Sequence, residues 1–395
     1  MNMLIFDNRT ESYTIMKNRM ASMSKQKVNL LVCMVMLWAA GSSANAGNTA
    51  DGALLVAGLT EQVKGWFGSD DSAKSTAKRK ALYKEWVLPD VAPSPKNNRM
   101  EAKKAELGKM LFFDPRLSGD GKMSCATCHN PQYGWSDGFP TARGDKNKVL
   151  ARATPTVINV GFNKILMWDG REATLEDQAM GPILNPEEMN NTVKKMLRTL
   201  KGIPEYVRVF KEAFSGLPPT EGAYRRAMAM YQRTIVANDS RFDHWVSGKA
   251  DEMSAEEKEG FQVFTDPERG NCAVCHRPPN FTDDGFHNIG LASFGKKDPD
   301  LGRFNEKPVR ITKGAFKTPP LRNITQTAPY FHDGSAQTLR DVVEHYASGG
   351  AVRTNLSPNL KRLNLSTQEK AALVKFLQSL TSELDPDLFK VRLPR

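Results

Sequence analysis

The sequence predicts a mainly α protein in which one domain occurs twice in tandem, with long loops, and three observations predict it. The pentapeptide pattern C-x-x-C-H stands at Cys125-Ala126-Thr127-Cys128-His129 and again at Cys272-Ala273-Val274-Cys275-His276. The segments flanking the two copies resemble each other. Between them, apolar residues recur at three- and four-residue spacing, while the alternation expected of strands is weak. At 395 residues the chain exceeds what one core usually serves, and 40% apolar residues suffice for two.

C-x-x-C-H is the attachment pattern of haem c: the two cysteines form thioethers and the histidine ligates the iron. The two copies use every cysteine except Cys33. Two C-x-x-C pairs also fit a zinc ribbon, but ribbon cysteines need no histidine directly after each pair, and here both have one. The expected architecture is therefore mainly α, two tandem cytochrome c-like haem domains with long loops, carrying two covalently bound haem c groups. The first domain is expected at residues 98–250 and the second at 251–395.

Residues 1–46 read as a secretory signal peptide. Lys25 and Lys27 precede the apolar run Leu30 to Ala40, too short to span a bilayer, and Ala44-Asn45-Ala46 supplies the small residues of a cleavage site. Cys33 leaves with the run; a lipid anchor there is disfavoured because Leu31-Val32 lack the small residues such a site prefers. Met20 and Met23 are alternative starts. A removable leader and covalent haem together imply an exported, periplasmic protein with no membrane span after cleavage.

The whole chain has a formal net charge of +11; the leader holds five basic and two acidic residues, which leaves +8. A basic surface suits acidic partners, or is a solvated face with an excess of lysine. No arginine-rich run or aromatic platform points to nucleic acid.

Residues 47–97 form an N-terminal extension and linker, with Pro89, Pro93 and Pro95 marking extended chain and a short helix expected around Lys78 to Trp86. Beyond it the repeat begins. Gly108-x-x-x-Phe112-Phe113-Asp114-Pro115 matches Gly260-x-x-x-Phe264-Thr265-Asp266-Pro267, and Thr154 to Asp177 aligns without gaps on Thr318 to Asp341 at an offset of 164. Helices are expected over Thr192 to Lys201, Pro204 to Phe214 and Glu221 to Ala237. Capping boxes at Ser254-x-x-Glu257 and Ser366-x-x-Glu369 open two more.

Function depends on the face of each iron opposite its motif histidine. The last methionine is Met253, so the second domain has none to offer its own haem. Its remaining candidates are His287, His332, His345, Tyr330 and Tyr346. Thr338 caps a helix running toward Tyr346, and the offset of 164 maps Tyr346 onto Pro182, which cannot ligate iron. If that position approaches the iron in both domains, Tyr346 closes the second haem and the first stays open to peroxide; the alternative for Tyr346 is an ordinary core tyrosine. His332 aligns with Trp168, and both suit a place between the haems or against a propionate. His287 and His345 carry no special signal. Gln178 lies one helical turn before Pro182 and Glu188 six residues after it. A carboxylate above an open haem can move a proton between the two oxygens of peroxide and promote O–O cleavage; without that setting Glu188 is a surface glutamate.

With these residues the chain resembles the bacterial di-haem cytochrome c peroxidase and MauG family. The resemblance covers about residues 100–380 through Leu111-Phe112-Phe113-Asp114-Pro115-Arg116-Leu117-Ser118, both C-x-x-C-H motifs, Trp168-Asp169-Gly170-Arg171, Phe286-His287-Asn288-Ile289-Gly290 and Pro329-Tyr330-Phe331-His332-Asp333-Gly334. It implies that Trp168 relays electrons between the haems, and that Gln178, Pro182 and Glu188 are the glutamine, proline and peroxide-cleaving glutamate of the first haem. Tyr346, and the lack of histidine from Thr141 to Arg152, are similar to the MauG-like branch. That branch reacts with hydrogen peroxide while both irons are ferric and oxidises aromatic residues of a separate protein. Trp245 is then a candidate surface exit for oxidising equivalents. The resemblance also implies calcium between the domains, but the family's asparagine ligand is Ala153 here, which leaves the backbone carbonyls of Thr327 and Pro329. The expected activity is MauG-like oxidation of a partner protein. The alternative is a peroxidase drawing electrons from a small redox protein, and a pure electron carrier would need both haems closed.

Overall fold

Two helix crossings carry the fold. The computed structural model describes residues 76–77 and 80–395, which lie in one compact unit beginning at Ser75; the expected signal peptide lies outside the described residues. In chain order the helices are α1 (Ala102–Phe113), α2 (Cys125–Cys128), α3 (Leu175–Gln178), α4 (Gly181–Leu184), α5 (Val193–Lys201), α6 (Pro204–Ala213), α7 (Glu221–Thr234), α8 (Arg241–Val246), α9 (Ala255–Thr265), α10 (Leu339–Ser348) and α11 (Thr367–Ser379). The two-residue strands β1 (Phe286–His287) and β2 (Phe316–Lys317) pair antiparallel and form the only sheet among the described residues.

Helix α1 crosses α7, and α9 crosses α11 in the same way. The repeated glycine explains why. A Cβ on Gly108 would stand 2.0 Å from the carbonyl oxygen of Ala227, and one on Gly260 would stand 2.0 Å from that of Ala372. Backbone lies on backbone at both crossings, so only glycine fits. One turn further on, Phe112 and Phe264 are buried with ring centroids 6.3 Å and 6.4 Å from His129 and His276. The motif Gly-x-x-x-Phe thus fixes both the crossing and the wall behind each histidine.

The second shared element is an asparagine in the left-handed region, Asn159 at φ 58° and Asn323 at φ 58°. Asn159 receives the end of α7: its side chain accepts from Ala237 N at 2.8 Å and donates to Ala237 O at 2.9 Å. Asn323 treats Ser382 the same way, donating to its carbonyl at 2.7 Å and accepting from its N–H at 3.2 Å. This docking corrects the expected extent of α7, which ends at Thr234 rather than Ala237, because residues 235–237 leave the helix to reach Asn159.

The capping boxes at Ser254 and Ser366 form as expected, and Thr174 and Thr338 cap α3 and α10. Between this last pair the repeat diverges. The ten-residue α10 runs unbroken past Tyr346, whereas its counterpart splits into α3 and α4 with Pro182 in the first turn of α4. Proline lacks the N–H and its ring clashes with the preceding turn, so one helix cannot continue there.

Two hydrophobic clusters form, one around Leu107, Phe112, Tyr206 and Phe210, the other around Phe242, Phe261, Phe281 and Phe376. Trp86 joins the second cluster although it precedes the first in sequence, and Leu88 and Ala92 are also buried. The helix expected around Lys78 to Trp86 is, in its described part, a helical turn followed by a 3-10 turn at Lys84–Trp86.

Gly260→Ala is expected to cost about 2 kcal/mol or more, since the two helices must part. Gly222→Ala, on α7 with nothing within 4 Å of the added methyl, should be neutral or stabilising. Urea midpoints of the two variants check this; an equal loss in both would remove the close-crossing explanation.

Candidate active site

The two motif segments open onto one cavity of about 910 Å³. Its wall includes Cys125, Cys128, His129, Cys272, Cys275 and His276, and also Trp168, Gln178, Pro182, Glu188, Thr327, Pro329, His332 and Tyr346. Side chains from Cys125 to Tyr346, far apart in the chain, therefore face one space.

Each motif histidine turns Nδ1 to a backbone carbonyl, His129 to Trp135 O at 3.2 Å and His276 to Phe281 O at 2.9 Å. Facing a carbonyl, Nδ1 carries the proton, which leaves the Nε2 lone pair for a metal. Trp135 and Phe281 reach these positions through left-handed backbone, φ 59° and φ 56°. Burial pushes His129 below the usual histidine range and His276 down to about 4, so both imidazoles are neutral. The four cysteines are free, and burial pushes Cys125, Cys128 and Cys272 up to about 12. Among the described residues they do not converge on one point, which sets the zinc ribbon aside. Paired thiols, a neutral imidazole with fixed tautomer and an apolar cavity fit haem c at each motif.

Glu188 stands on the side of the first motif, close enough to Cys125 and Cys128 to raise both thiols. Its Oε1 accepts from Asn185 Nδ2 at 2.9 Å, and burial holds its carboxyl above the ordinary range despite that bond and the charge of Arg171. Gln178 ends α3 and Pro182 opens α4, both on the cavity wall. Tyr346 is on the other side, next to Cys272 and Cys275, and burial raises its phenol well above the usual range. A tyrosinate at this place requires a cation in the cavity.

Where the repeated segments meet, equivalent positions touch. Ala153 N donates to His332 O at 2.7 Å, and Lys317 N, its counterpart in the second copy, donates to Trp168 O at 2.8 Å. Trp168 and His332 are edge to face with centroids 6.3 Å apart, and the Trp168 indole donates from Nε1 to Ala153 O at 2.8 Å. Phe316 stacks on His332 at 3.5 Å, and the Arg152 guanidinium lies 5.4 Å from the Phe316 ring. Burial pushes His332 down to about 4, so it is neutral.

Thr327 and Pro329 line the cavity and keep their backbone carbonyls, but Ala153 has no side-chain oxygen and its carbonyl accepts from the Trp168 indole, so the calcium donor set is reduced to two carbonyls and does not fit. Trp245 is no surface exit: it is 6% exposed and packed on Tyr83 at 4.7 Å. The sequence reading missed two groups. Arg152 bridges Asp169 and Asp300, and His287, passed over as ordinary, holds Asp283 at 2.9 Å on the cavity wall. That bond raises His287 to about 9. Arg152 lies just before the repeated segment, and His287 is part of the Phe286-to-Gly290 motif; those were the available signals.

A family model described as di-haem cytochrome c peroxidase matches residues 102–251, and one described as cytochrome c matches 257–381. The chain is 42% identical over 318 residues to methylamine utilization protein MauG of Methylorubrum extorquens, covering 80% of this chain and 88% of that protein. Over 304 residues it is 36% identical to cytochrome c551 peroxidase of Nitrosomonas europaea, covering 77% and 86%. A solved MauG-like protein associated with microbial copper homeostasis has a TM-score of 0.72 at 30% identity, covering 77% of this chain and 98% of that one.

Serine at both Cys272 and Cys275 is expected to abolish covalent haem at the second motif and leave the first loaded. Denaturing extraction followed by alkaline pyridine spectra would show it; unchanged covalent haem would contradict the assignment.

Proposed function

We propose, from the premise that this chain belongs to the di-haem cytochrome c peroxidase and MauG family, that it is a periplasmic MauG-like enzyme using hydrogen peroxide to oxidise aromatic residues of a partner protein. The family members are haem-dependent oxidoreductases, and this chain carries the haem c attachment residues of both motifs. The observation that supports the MauG-like reading is the divergence at one repeat position: Pro182 faces the cavity on the side of the first motif and Tyr346 on the side of the second.

Cys125, Cys128 and His129 would hold haem at the first motif, where it would supply a redox-active iron for reaction with peroxide. Pro182 has no group that could ligate that iron. Glu188, aligned by Asn185, would accept the proton of the inner peroxide oxygen at its carboxylate and pass it to the outer one, the proton movement that O–O cleavage at a bound haem would need. Gln178, on the same wall, is placed to donate a hydrogen bond to peroxide. His129 is held by Trp135, and His276 by Phe281. At the second side Cys272, Cys275 and His276 would hold haem, and Tyr346 would offer its phenol oxygen to the iron. Trp168, with its indole N–H fixed on Ala153, carries electrons between the two sides, and His332 packs on it. The partner is a protein whose acidic face meets the basic surface.

The peroxidase reading is kept as the alternative because of the relative named cytochrome c551 peroxidase. The test is one equivalent of peroxide added to the fully ferric protein, followed by EPR and absorbance. Loss of the high-spin signal without prior reduction supports the MauG-like reading; reaction only after one haem is reduced supports the alternative.

Glu188→Gln is expected to slow that loss about 10²- to 10⁴-fold. The rate for the unaltered protein should fall as pH drops through the raised Glu188 pKa, because the carboxylate is the active form. The acid limb is then expected above the ordinary glutamate range. Stopped-flow profiles check both, and a glutamine variant with the same rate and the same acid limb would remove Glu188 from the reaction.

A further inference from the structure

We propose that this chain holds Trp168 in place without calcium, and that Arg152 is the positioning residue. The inference rests on the reading of Trp168 as the electron relay. Calcium takes six to eight oxygen ligands, with carboxylates prominent among them. Beyond the Thr327 and Pro329 carbonyls, which are too few for such a shell, the seam oxygens that could complete it already accept hydrogen bonds. Ala153 O accepts from the Trp168 indole at 2.8 Å. Asp137 accepts from Thr154 Oγ1 at 2.6 Å and Phe139 N at 3.0 Å, and Asp333 from Ser335 N at 3.1 Å.

Two further carboxylates belong to Arg152. Its Nη1 donates to Asp169 Oδ2 at 2.6 Å, while Nε and Nη2 grip Asp300 at 2.6 Å and 2.9 Å. Asp169 also accepts from Arg171 Nη1 at 2.9 Å. Two guanidiniums against these two carboxylates leave that pair with no net negative charge to recruit a dication. Lys317, at the repeat position of Ala153, adds a buried ammonium 3.2 Å from Asp284.

Arg152 and Ala153 are consecutive, as are Trp168 and Asp169, so one dipeptide grips the other twice: guanidinium to carboxylate, and carbonyl to indole. A planar guanidinium can serve two carboxylates in fixed directions, as an ammonium cannot. Arg303 completes the turn by donating to Asp169 O at 2.8 Å and Gly170 O at 2.7 Å.

The test uses the di-haem protein. After dialysis against EGTA, elemental analysis is expected to find less than about 0.1 calcium per chain. The thermal midpoint should agree within about 1 °C in EGTA and in millimolar calcium chloride. Stoichiometric calcium in the protein purified with calcium present, or a midpoint that drops in EGTA, would overturn the calcium-free seam. Arg152→Gln is expected to slow the peroxide-induced loss of the second haem's ferric EPR signal about tenfold, through misplacement of Trp168, with the first haem's signal decaying as before. Arg152→Lys, which keeps a cation in the seam, should fold and lie between the two. If either folded variant leaves the second signal at its normal rate, Arg152 does not position the relay. Trp168→Phe is run beside them: a normal rate there sinks the relay reading itself, while calcium content and the thermal midpoint still decide whether the seam is metal-free.

Discussion

At Gly108 and Gly260 one helix backbone rests on another with no side chain between, and the rest of the structure depends on those two contacts. They fix α1 against α7 and α9 against α11, and from these crossings Phe112 and Phe264 reach the motif histidines. The histidines are in turn oriented by carbonyls of left-handed residues directly behind them. A methyl group at either glycine would spread the helices and move the phenylalanine, the histidine and the cavity wall together. Close packing passes such a displacement on rather than absorbing it.

On this shared frame the two halves differ at one repeat position on the cavity wall. The segment after each capping threonine begins alike, but Pro182 breaks it in the first half, whereas α10 carries Tyr346 through in the second. The same difference takes away a phenol and shortens a helix. The chain after the break turns back through Asn185, whose side chain then holds Glu188. The proline thus accounts both for the lack of a phenol at the first side and for the loop that brings a carboxylate there.

Much of this was legible in the sequence because duplication supplies its own comparison. Gly108, Asn159 and Thr174 could be picked out by their partners Gly260, Asn323 and Thr338. What escaped notice were features the repeat does not preserve as letters. Helices α7 and α11 play the same part, yet Ala227 and Ala372 fall outside the aligned segments and their surroundings share little, so their equivalence appears only when both are seen under a glycine. Arg152 was invisible for the opposite reason: its repeat position is Phe316, and an arginine opposite a phenylalanine does not read as a matched pair. Trp245 was misjudged because a tryptophan beside charged residues looks exposed, and nothing in its neighbours announces that Tyr83, from the extension, covers it.

The contact between the halves follows the logic of a two-fold interface, in which contacts recur reciprocally and residues near the axis meet their own equivalents. Arg152 meets Phe316, Trp168 meets His332, and the hydrogen bonds of Ala153 and Lys317 are copies of each other. In a true dimer the partners would have to be identical, and two tryptophans or two arginines would crowd the axis. Within a single chain each pair is free to divide its work. One position of a pair supplies a charged fork and the other the flat ring it rests on; one supplies an indole and the other a neutral imidazole at its edge. The seam that duplication created became useful once its two sides stopped being the same.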